Sequence, residues 1–530
     1  MSMQRLEKIG EGTYSRVYAA KSPGGKKYAV KRRITSKRIT FCQGVRELHV
    51  NHEVGNHPHV INLHQISIGN PFADGPMSPL IDKDNTKDLR DDIIHFILPL
   101  GIRNMHQHVG GMRSRKMPAA DILKYAAQLL LGLEYIHGRG YIHRDIKMEN
   151  LILIEENGQL NIKIVDFGLA KPVNPYCQQT PGTMTSWYRA PEVCLEAPYY
   201  GIQADVWSAG CVIYEMITGQ PLTTQVETDE NERLIQLILS NLPYAVTVET
   251  VRQMDRYKMV KDAYVCSEHP SMETFLDVTT GGLRMTDINK HGGYDNLTKM
   301  LMMALQFDPR SRASVTTLLD QAYFDPVREY IDKTRAEFPG IRRIYPTVDV
   351  VTCSERVWMR NIALSMFMNR TSYKWYNHRI LFQSVSLFDR VLNHANQFAD
   401  AKVVPCEYRG RMMTKEKSDL YFIACIYLSI KYFSTLHKPV SFAQVAPEKY
   451  RNKDKLVVVE NFESRLIQHI LNYDIYHETP YDVLVQKRAP TSDEVRAILI
   501  FVLSGHHRNK TPTDAYQYWE LHKETYLAKK

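Results

Sequence analysis

The chain has 530 residues, of which 44% are hydrophobic and 24% are charged, and its formal net charge is +9. These proportions are typical of globular proteins, and the length predicts two or three domains rather than one core. The positive charge is modest, and no dense tract of lysine and arginine is interleaved with aromatic residues. The composition therefore predicts no direct binding of nucleic acid.

The eight cysteines are scattered along the chain without a Cys-x-x-Cys pair. This spacing argues against a zinc site or a disulfide framework and predicts a reducing compartment, the cytoplasm or the nucleus. The first residues lead directly into a folded pattern rather than into a secretory signal. The longest apolar run, at about 420–430, is roughly half of what a bilayer crossing needs, so we expect a soluble protein with no membrane partner.

Two glycines near the amino terminus, Gly10 and Gly12, are bounded by apolar residues that would alternate along a strand as far as Val17. Glycine allows a hairpin backbone to approach a phosphate because no side chain stands in the way. Taken alone, the pattern fits an ordinary hairpin equally well. An apolar run then ends at Lys31, and Glu47 follows sixteen residues later.

Residues 70–92 are rich in Pro, Gly, Asp and Asn, which is typical of a surface insertion between two strands. A strand is predicted at 93–100. The segment 121–137 carries apolar residues at helical spacing and predicts a buried helix.

The most informative stretch is 142–150, which contains Asp145, Lys147 and Asn150 directly before an apolar run. A second strand-like run, at 162–165, leads to Asp166 in an Asp-Phe-Gly sequence. These two segments resemble the catalytic and metal-binding loops of the protein kinases. The glycine-containing hairpin, Lys31 and Glu47 resemble other parts of the same ATP site.

This resemblance implies an α+β fold of two lobes, a β-rich N-lobe at about 1–100 and a helical C-lobe at about 101–328. It implies that Glu47 holds Lys31, which neutralises the phosphates of ATP. It also implies that Leu98 lies at the back of the adenine pocket. The expected ATP-binding residues are Gly10, Gly12, Val17, Lys31, Glu47 and Leu98.

The same resemblance assigns roles within the catalytic loop. Asp145 is the expected catalytic base, and Lys147 is expected to steady the transferred phosphoryl group. A lysine at this position is typical of Ser/Thr rather than Tyr kinases. Asn150 and Asp166 are expected to bind Mg²⁺.

The segment from Asp166 to Glu192 resembles an activation segment. Residues 185–189 resemble the substrate pocket of the cyclin-dependent and mitogen-activated kinases. Counting back from them places Thr180 where the former carry an activating phosphothreonine, with Thr183 as the competing site. A phosphate there needs basic partners, and an activating kinase would be a protein partner. The expected phosphate-binding residues are Arg46, Arg144 and Lys171.

Two further features follow from the resemblance to this kinase group. Thr13 and Tyr14 stand where inhibitory phosphorylation would occur. Met184 and Arg189 stand where the pocket favours proline after the target hydroxyl, so protein substrates with Ser/Thr-Pro sites are expected. Outside the pocket, Arg312 is expected to pair with Glu192 as a buried structural ion pair.

The kinase domain is expected to span 1–328, and a mixed-charge linker containing Pro and Gly comes next at 329–352. From residue 353 onward the apolar spacing is helical throughout. Segments of this region resemble a cyclin box in order. We therefore expect an all-α cyclin-like domain at 353–480 and a helical extension or partial second cyclin repeat at 481–530. The framework positions are Arg360, Asp389, Leu420, Lys431 and Glu463.

The match to the cyclin pattern is incomplete. The 29-residue step from Arg360 to Asp389 and the 11-residue step from Leu420 to Lys431 fit the family. Roughly sixteen extra residues separate Asp389 from Leu420, and Glu463 is one residue out of step with the segment 471–474. By resemblance, Arg360 and Asp389 tie two helices together, whereas Lys431 and Glu463 face the kinase.

We expect the cyclin-like domain to dock in cis and to push the helix carrying Glu47 inward. An extended linker of this length could reach about 80 Å, and tethering gives an effective concentration on the order of millimolar. Two alternatives remain open. One is a weakly catalytic scaffold or decoy that binds the cyclins or kinases of the cell. It is suggested by Ser15, which stands at the third glycine position of the kinase loop, and by Met148, which stands where the cyclin-dependent kinases usually have proline. The other is docking of the cyclin-like domain onto a separate kinase in trans.

Overall fold

The computed structural model describes the chain in segments. They are residues 3–12, 15–33, 47, 50–51, 53–68, 94–112, 116–173, 184–197, 200–223, 231–252, 254, 269–278, 283–340, 378–394 and 415–433, with single residues and short groups between 445 and 521. The chain divides into two compact units, Met1–Arg342 and Arg343–Lys530.

The first unit begins with an antiparallel sheet of five strands in the order β1-β2-β3-β5-β4. The strand predicted at 93–100 is β5, and the insertion predicted before it, at 70–92, lies outside the described residues. The strands are β1 Gln4–Gly12, β2 Ser15–Lys21, β3 Lys27–Arg33, β4 Gln65–Ile68 and β5 Ile94–Pro99.

The register of this sheet separates its two faces. Tyr28, Val30 and Ile97 belong to a small apolar core on one face. Successive side chains of a strand point to opposite faces, so Lys31 belongs to the other face. Val17 pairs directly with Lys31, and Leu98 pairs with Ala29, so the register assigns them to that face too.

Helices dominate the rest of the first unit, as the two-lobed expectation requires. Residues 47, 50, 51, 53 and 54 are helical, and we call them the Glu47 helix. The later helices are α1 Met105–Gly110, α2 Ala119–Gly138, α3 Pro191–Cys194, α4 Gln203–Thr218, α5 Asn231–Asn241, α6 Val248–Arg252, α7 Met272–Phe275, α8 Leu283–Lys290, α9 Tyr294–Ala304, α10 Val315–Leu319 and α11 Arg328–Glu337.

Helix α2 confirms the helix predicted at 121–137 and forms the centre of this part of the core. Ile122, Ala126, Leu129 and Leu133 recur at three- and four-residue intervals and are fully buried. A Cβ added at Gly132 would lie 2.9 Å from the His59 carbonyl oxygen. Glycine at that position therefore lets the segment after the Glu47 helix pack closely against α2.

Short strands frame the loops that come after α2. They form a two-stranded sheet and a three-stranded sheet in the order β6-β8-β9. The predicted run at 162–165 corresponds to the end of β9. The strands are β6 Arg103–Asn104, β7 Tyr141–Ile142, β8 Leu151–Glu156, β9 Gln159–Ile164 and β10 Lys171–Pro172.

The predicted ion pair between Arg312 and Glu192 is confirmed. The guanidinium donates two hydrogen bonds to the carboxylate, of 2.8 and 3.0 Å, and both side chains are buried. Arg312 also donates to the Gln306 carbonyl oxygen at 3.0 Å, and its guanidinium carbon lies 5.2 Å from the Trp207 ring centroid. This bidentate pair fastens the start of α3 to the loop before α10.

Helices α12 His378–His394 and α13 Lys415–Phe433 are the long elements described in the second unit. They pack through apolar side chains, with the Phe388 and Phe422 ring centroids 5.0 Å apart. Leu420, on α13, is buried. Asp389 and Lys431 lie on α12 and α13, but their side chains, like Arg360 and Glu463, lie outside the described residues. Within the described segments, no helix combines the length and apolarity that a membrane crossing requires.

Replacing Arg312 with alanine would leave the Glu192 carboxylate buried without its partner. We expect the free energy of unfolding of the first unit to fall by about 3–5 kcal/mol, measured by chemical denaturation of the full chain. The control is Arg310→Ala, because Arg310 pairs with Asp308 at the surface, with 59% of its side chain exposed. A comparable loss in both variants would contradict the structural role of the buried pair.

Candidate active site

Lys31 connects three elements of the first unit. Its Nζ lies 2.7 Å from Glu47 Oε1 on the Glu47 helix and 2.9 Å from Asp166 Oδ1 in the loop after β9. The Lys31 and Glu47 side chains are 7% and 2% exposed, whereas Asp166 is 36% exposed. The contact of Lys31 with Glu47 is therefore shielded from water, whereas its contact with Asp166 is partly open to solvent. An incoming ligand could reach the Lys31 ammonium from the Asp166 side.

The backbone at Asp166 is in the left-handed region, with φ at 67°. Its Oδ1 accepts a hydrogen bond from the Gly168 amide at 3.2 Å, which stabilises the turn. Asp tolerates this region better than most residues because its short side chain can bond locally. Strain of this kind tends to be retained at functional sites.

The Asp145 carboxylate is held by donors from three residues. Lys147 Nζ lies 2.9 Å from Oδ2, and Asn150 Nδ2 donates to Oδ2 at 2.8 Å. The Thr185 hydroxyl donates to Oδ1 at 2.8 Å and accepts from Lys147 Nζ at 3.0 Å. No chemical role for Thr185 is predicted from sequence, because a contact across 40 residues leaves no local signal.

Asp205, at the start of α4, fixes the backbone of the loop that carries Asp145. Its two carboxylate oxygens accept from the amides of His143 and Arg144 at 2.7 and 2.8 Å, and His137 Nε2 lies 2.9 Å away. Burial by itself would raise the pKa of Asp205. The contacts with His137 and the His143 amide outweigh burial and lower that pKa, so the group is a carboxylate at neutral pH.

His143 connects the same loop to the segment before Asp166. Its Nδ1 accepts from the Asp145 amide at 3.2 Å, so the proton is on Nε2, which donates to the Val165 carbonyl oxygen at 3.1 Å. Complete burial lowers the pKa of His143 and keeps the ring neutral. The ring also contacts Phe167 edge to face, with centroids 5.1 Å apart.

Two of the three expected phosphate-binding residues lie close in the fold. Lys171 pairs in register with Ile142, two residues before Arg144. Arg144 Nε donates to the Leu169 carbonyl oxygen at 2.7 Å, and Nη1 donates to the Tyr200 hydroxyl at 3.4 Å. The other residues predicted to carry or bind phosphate lie outside the described residues. They are Thr13, Tyr14, Arg46, Thr180 and Thr183.

Arg189 engages the carbonyl group of Met184. Its Nη2 and Nε donate to that oxygen at 2.8 and 3.2 Å, and Nη1 donates to Asn231 Oδ1 at 2.8 Å. The neighbouring Tyr188 hydroxyl donates to Glu215 Oε2 at 2.6 Å. Burial, reinforced by Glu215, raises the pKa of Tyr188, so it stays a hydrogen-bond donor. Because Arg189 donates to it, the Met184 carbonyl oxygen already has a hydrogen-bond donor from within the protein.

The expected glycine hairpin is formed by β1 and β2. Gly12 pairs with Ser15 at its tip, and Gly10 pairs with Val17. A Cβ added at Gly10 would contact Val17 at 3.6 Å, an ordinary van der Waals distance. Among the described residues, packing therefore does not require glycine at that position.

Comparison with known proteins identifies protein kinases as the relatives of this chain. The protein kinase domain model matches residues 3–324. Cyclin-dependent kinase B2-1 of Arabidopsis thaliana is 27% identical over 337 residues, which are 62% of this chain and 95% of the relative. The mitogen-activated protein kinase sty1 of Schizosaccharomyces pombe is 31% identical over 339 residues, or 63% and 83%. The mitogen-activated protein kinase mpkC of Aspergillus fumigatus is 39% identical over 212 residues, or 40% and 51%.

Replacing Asp205 with asparagine tests its hold on the loop. Asparagine keeps one acceptor oxygen for two backbone amides, so we expect a loss of about 1–3 kcal/mol in the free energy of unfolding at neutral pH. Because the folded-state pKa of Asp205 is lowered, its contribution is present above the ordinary aspartate range and is lost as pH falls below about 4. The stability difference between wild type and Asp205→Asn should therefore narrow in acid. Asp295→Asn, at an exposed position of α9, is the control. A stability difference between wild type and Asp205→Asn that does not depend on pH would contradict the account.

Proposed function

Because the chain belongs to the protein kinase family, we propose that it is a proline-directed Ser/Thr kinase activated in cis by its own C-terminal region. It transfers the γ-phosphate of ATP to serine and threonine hydroxyl groups of protein substrates. The observation that carries the proposal is the position of Lys31 between Glu47 and Asp166. This arrangement presents a fixed cation beside a solvent-exposed carboxylate, as the binding of nucleotide phosphates requires.

Asp145 acts as the catalytic base in this proposal. Its carboxylate accepts a hydrogen bond from the substrate hydroxyl and orients that oxygen towards the phosphorus atom. Lys147 lies 2.9 Å from Asp145 and stabilises the charge of the transferred group. Thr185 bonds to both side chains and keeps them in a fixed relation.

Asp166 and Asn150 fit a divalent cation such as Mg²⁺. Both offer oxygen atoms, the ligands that hard cations prefer. Asn150 uses its amide nitrogen to donate to the Asp145 carbonyl and carboxylate oxygens, both at 2.8 Å. Its amide oxygen is therefore the atom that can ligate the ion. The bound ion would neutralise the charge of the ATP phosphates.

The proposed preference for proline follows from Arg189. Since the Met184 carbonyl oxygen accepts from Arg189, it is a poor acceptor for the backbone amide of the substrate residue after the target hydroxyl. A buried amide without an acceptor costs free energy, and proline has no amide hydrogen to satisfy.

Peptide phosphorylation tests activity and proline preference together. We expect a Ser-Pro peptide to be phosphorylated with a kcat/KM at least about tenfold above the matched Ser-Ala peptide. Arg189→Lys replaces a two-pronged donor with one, so the ratio should fall, whereas Arg233→Lys on the exposed face of α5 should leave it unchanged. Equal phosphorylation of both peptides by wild type would contradict proline direction, and phosphorylation of neither would contradict the kinase assignment.

The proposal of activation in cis is supported by the sequence order of the cyclin-like framework positions and by the packing of α12 against α13. In this proposal the C-terminal region biases the Glu47 helix towards Lys31, and phosphorylation of Thr180 orders the segment after Asp166. Tethering makes the interaction independent of protein concentration.

Deleting residues after 342 should lower the specific activity by at least about tenfold, because Glu47 loses its support. The specific activity of the full chain should stay constant on dilution. Full activity without the C-terminal unit would contradict activation in cis, and a specific activity that falls on dilution would instead favour docking in trans.

A further inference from the structure

The Glu47 helix ends against α2, through Arg139. The Arg139 guanidinium donates to the Glu53 carbonyl oxygen at 2.9 and 2.7 Å. Carbonyl groups at the end of a helix lack partners within it, and a cation there is favourable. The helix that carries Glu47 is therefore held at its carboxyl end by the end of α2.

The next loop, residues 55–61, is tied to the strand that leads to Asp166. The Ile61 amide donates to the Ile164 carbonyl oxygen, and the Ile164 amide donates to the His59 carbonyl oxygen, both at 2.9 Å. Lys163 Nζ donates to the Pro58 carbonyl oxygen at 2.7 Å. A displacement of this loop would consequently act on both carboxylates that contact Lys31.

The last described residues of the first unit close over this loop from the other side. We call residues 330–340, which comprise most of α11 and the three residues after Glu337, the strap. Arg335 fastens the strap to α2 through a bidentate pair with Glu134, with both contacts at 2.8 Å. A Cβ at Gly340 would lie 3.1 Å from the Tyr135 carbonyl oxygen, so the strap also approaches the α2 backbone closely.

Two aromatic residues of the strap contact the two histidines of the loop. His59 Nδ1 lies 3.1 Å from the Ile162 carbonyl oxygen, which can only accept, so Nδ1 carries the proton. His59 Nε2 is then the acceptor for a hydrogen bond from the Tyr330 hydroxyl. Phe338 meets His57 edge to face, with ring centroids 5.6 Å apart.

Both histidines are neutral at physiological pH. Burial lowers the pKa of His57 to about 3 and that of His59 to about 4. The acceptor at His59 Nε2 is therefore available to Tyr330 across the neutral range. His57 is further held by stacking on Tyr135, with centroids 4.8 Å apart.

We propose that Tyr330 and Phe338 are positioning residues, which hold loop 55–61 so that Glu47 stays paired with Lys31. This inference rests on the proposed function, since it concerns the same ATP site. It adds a second means of controlling the ATP site. The strap, which directly precedes the second unit in the sequence, would act on the position of Glu47. A change in the strap alters ATP binding without any contact between the strap and the nucleotide.

The strap residues can be altered without removing the core. A cavity of about 590 Å³ is lined by His57, Tyr135, Phe338 and Gly340, among others. Phe338 therefore borders open space on one side, and Tyr330 is 40% exposed. Tyr330→Phe removes only the hydroxyl group, and Phe338→Leu removes the edge-to-face contact while keeping an apolar side chain.

The test is a double-mutant cycle in the full chain between Tyr330→Phe and Glu47→Gln. The main measurement is the Kd of a non-hydrolysable ATP analogue with Mg²⁺. We expect Tyr330→Phe to weaken binding about three- to tenfold in the wild-type background and to have no further effect when Glu47 is already glutamine. Phe338→Leu should show the same pattern. Tyr294→Phe is the control, since the Tyr294 hydroxyl has no hydrogen-bond partner among the described residues.

Equal losses in both backgrounds, or no loss in either, would overturn the inference. A purely structural role of the strap would lower the unfolding temperature but would not make the two effects non-additive. Hydrogen exchange of residues 47–54 provides a readout without nucleotide and should quicken in Tyr330→Phe. Peptide phosphorylation is measured separately, so a chain that binds the analogue and shows the non-additive pattern but transfers no phosphate contradicts the proposed function alone.

Discussion

The ion pair between Lys31 and Glu47 is the interaction on which the rest of the site depends. Both partners are nearly inaccessible to water, and the paired atoms are 2.7 Å apart. Separation of the pair would leave a charge buried without compensation, which is costly, so the two side chains stay together or the helix moves away as a whole. Anything that moves the Glu47 helix therefore acts on the Lys31 ammonium.

A second constraint, from the start of α4, acts on the loop that carries Asp145. Asp205 accepts from successive backbone amides at His143 and Arg144, and Arg144 has a left-handed backbone, with φ at 66°. The strain at Arg144 is offset by these charge-assisted hydrogen bonds. They fix the direction in which Asp145 leaves the backbone, while Thr185 and Asn150 fix its carboxylate. Lys31 and Asp145 are thus held by separate networks that meet just after β9, where His143 contacts Val165 and Lys31 contacts Asp166.

The sequence was sufficient for elements with a local periodicity, such as strand β5 and helix α2. It was also sufficient for the pair of Arg312 with Glu192, because that contact belongs to a motif of the family that the sequence resembles. It was not sufficient for contacts between distant segments that use common residues. Thr185 on Asp145 and Tyr330 on His59 belong to this group, because a threonine or tyrosine is unremarkable in its own neighbourhood. The roles of Thr180 and of the cyclin-like positions Arg360 and Glu463 remain predictions.

The central claim is that Glu47 makes Lys31 competent to bind ATP for phosphoryl transfer. The most direct measurement is the rate of phosphate transfer from labelled ATP to a Ser-Pro peptide by wild type, Glu47→Gln and the exposed control Glu7→Gln. We predict that Glu47→Gln lowers kcat/KM by at least about tenfold and that Glu7→Gln equals wild type. Undiminished transfer by Glu47→Gln would contradict the account.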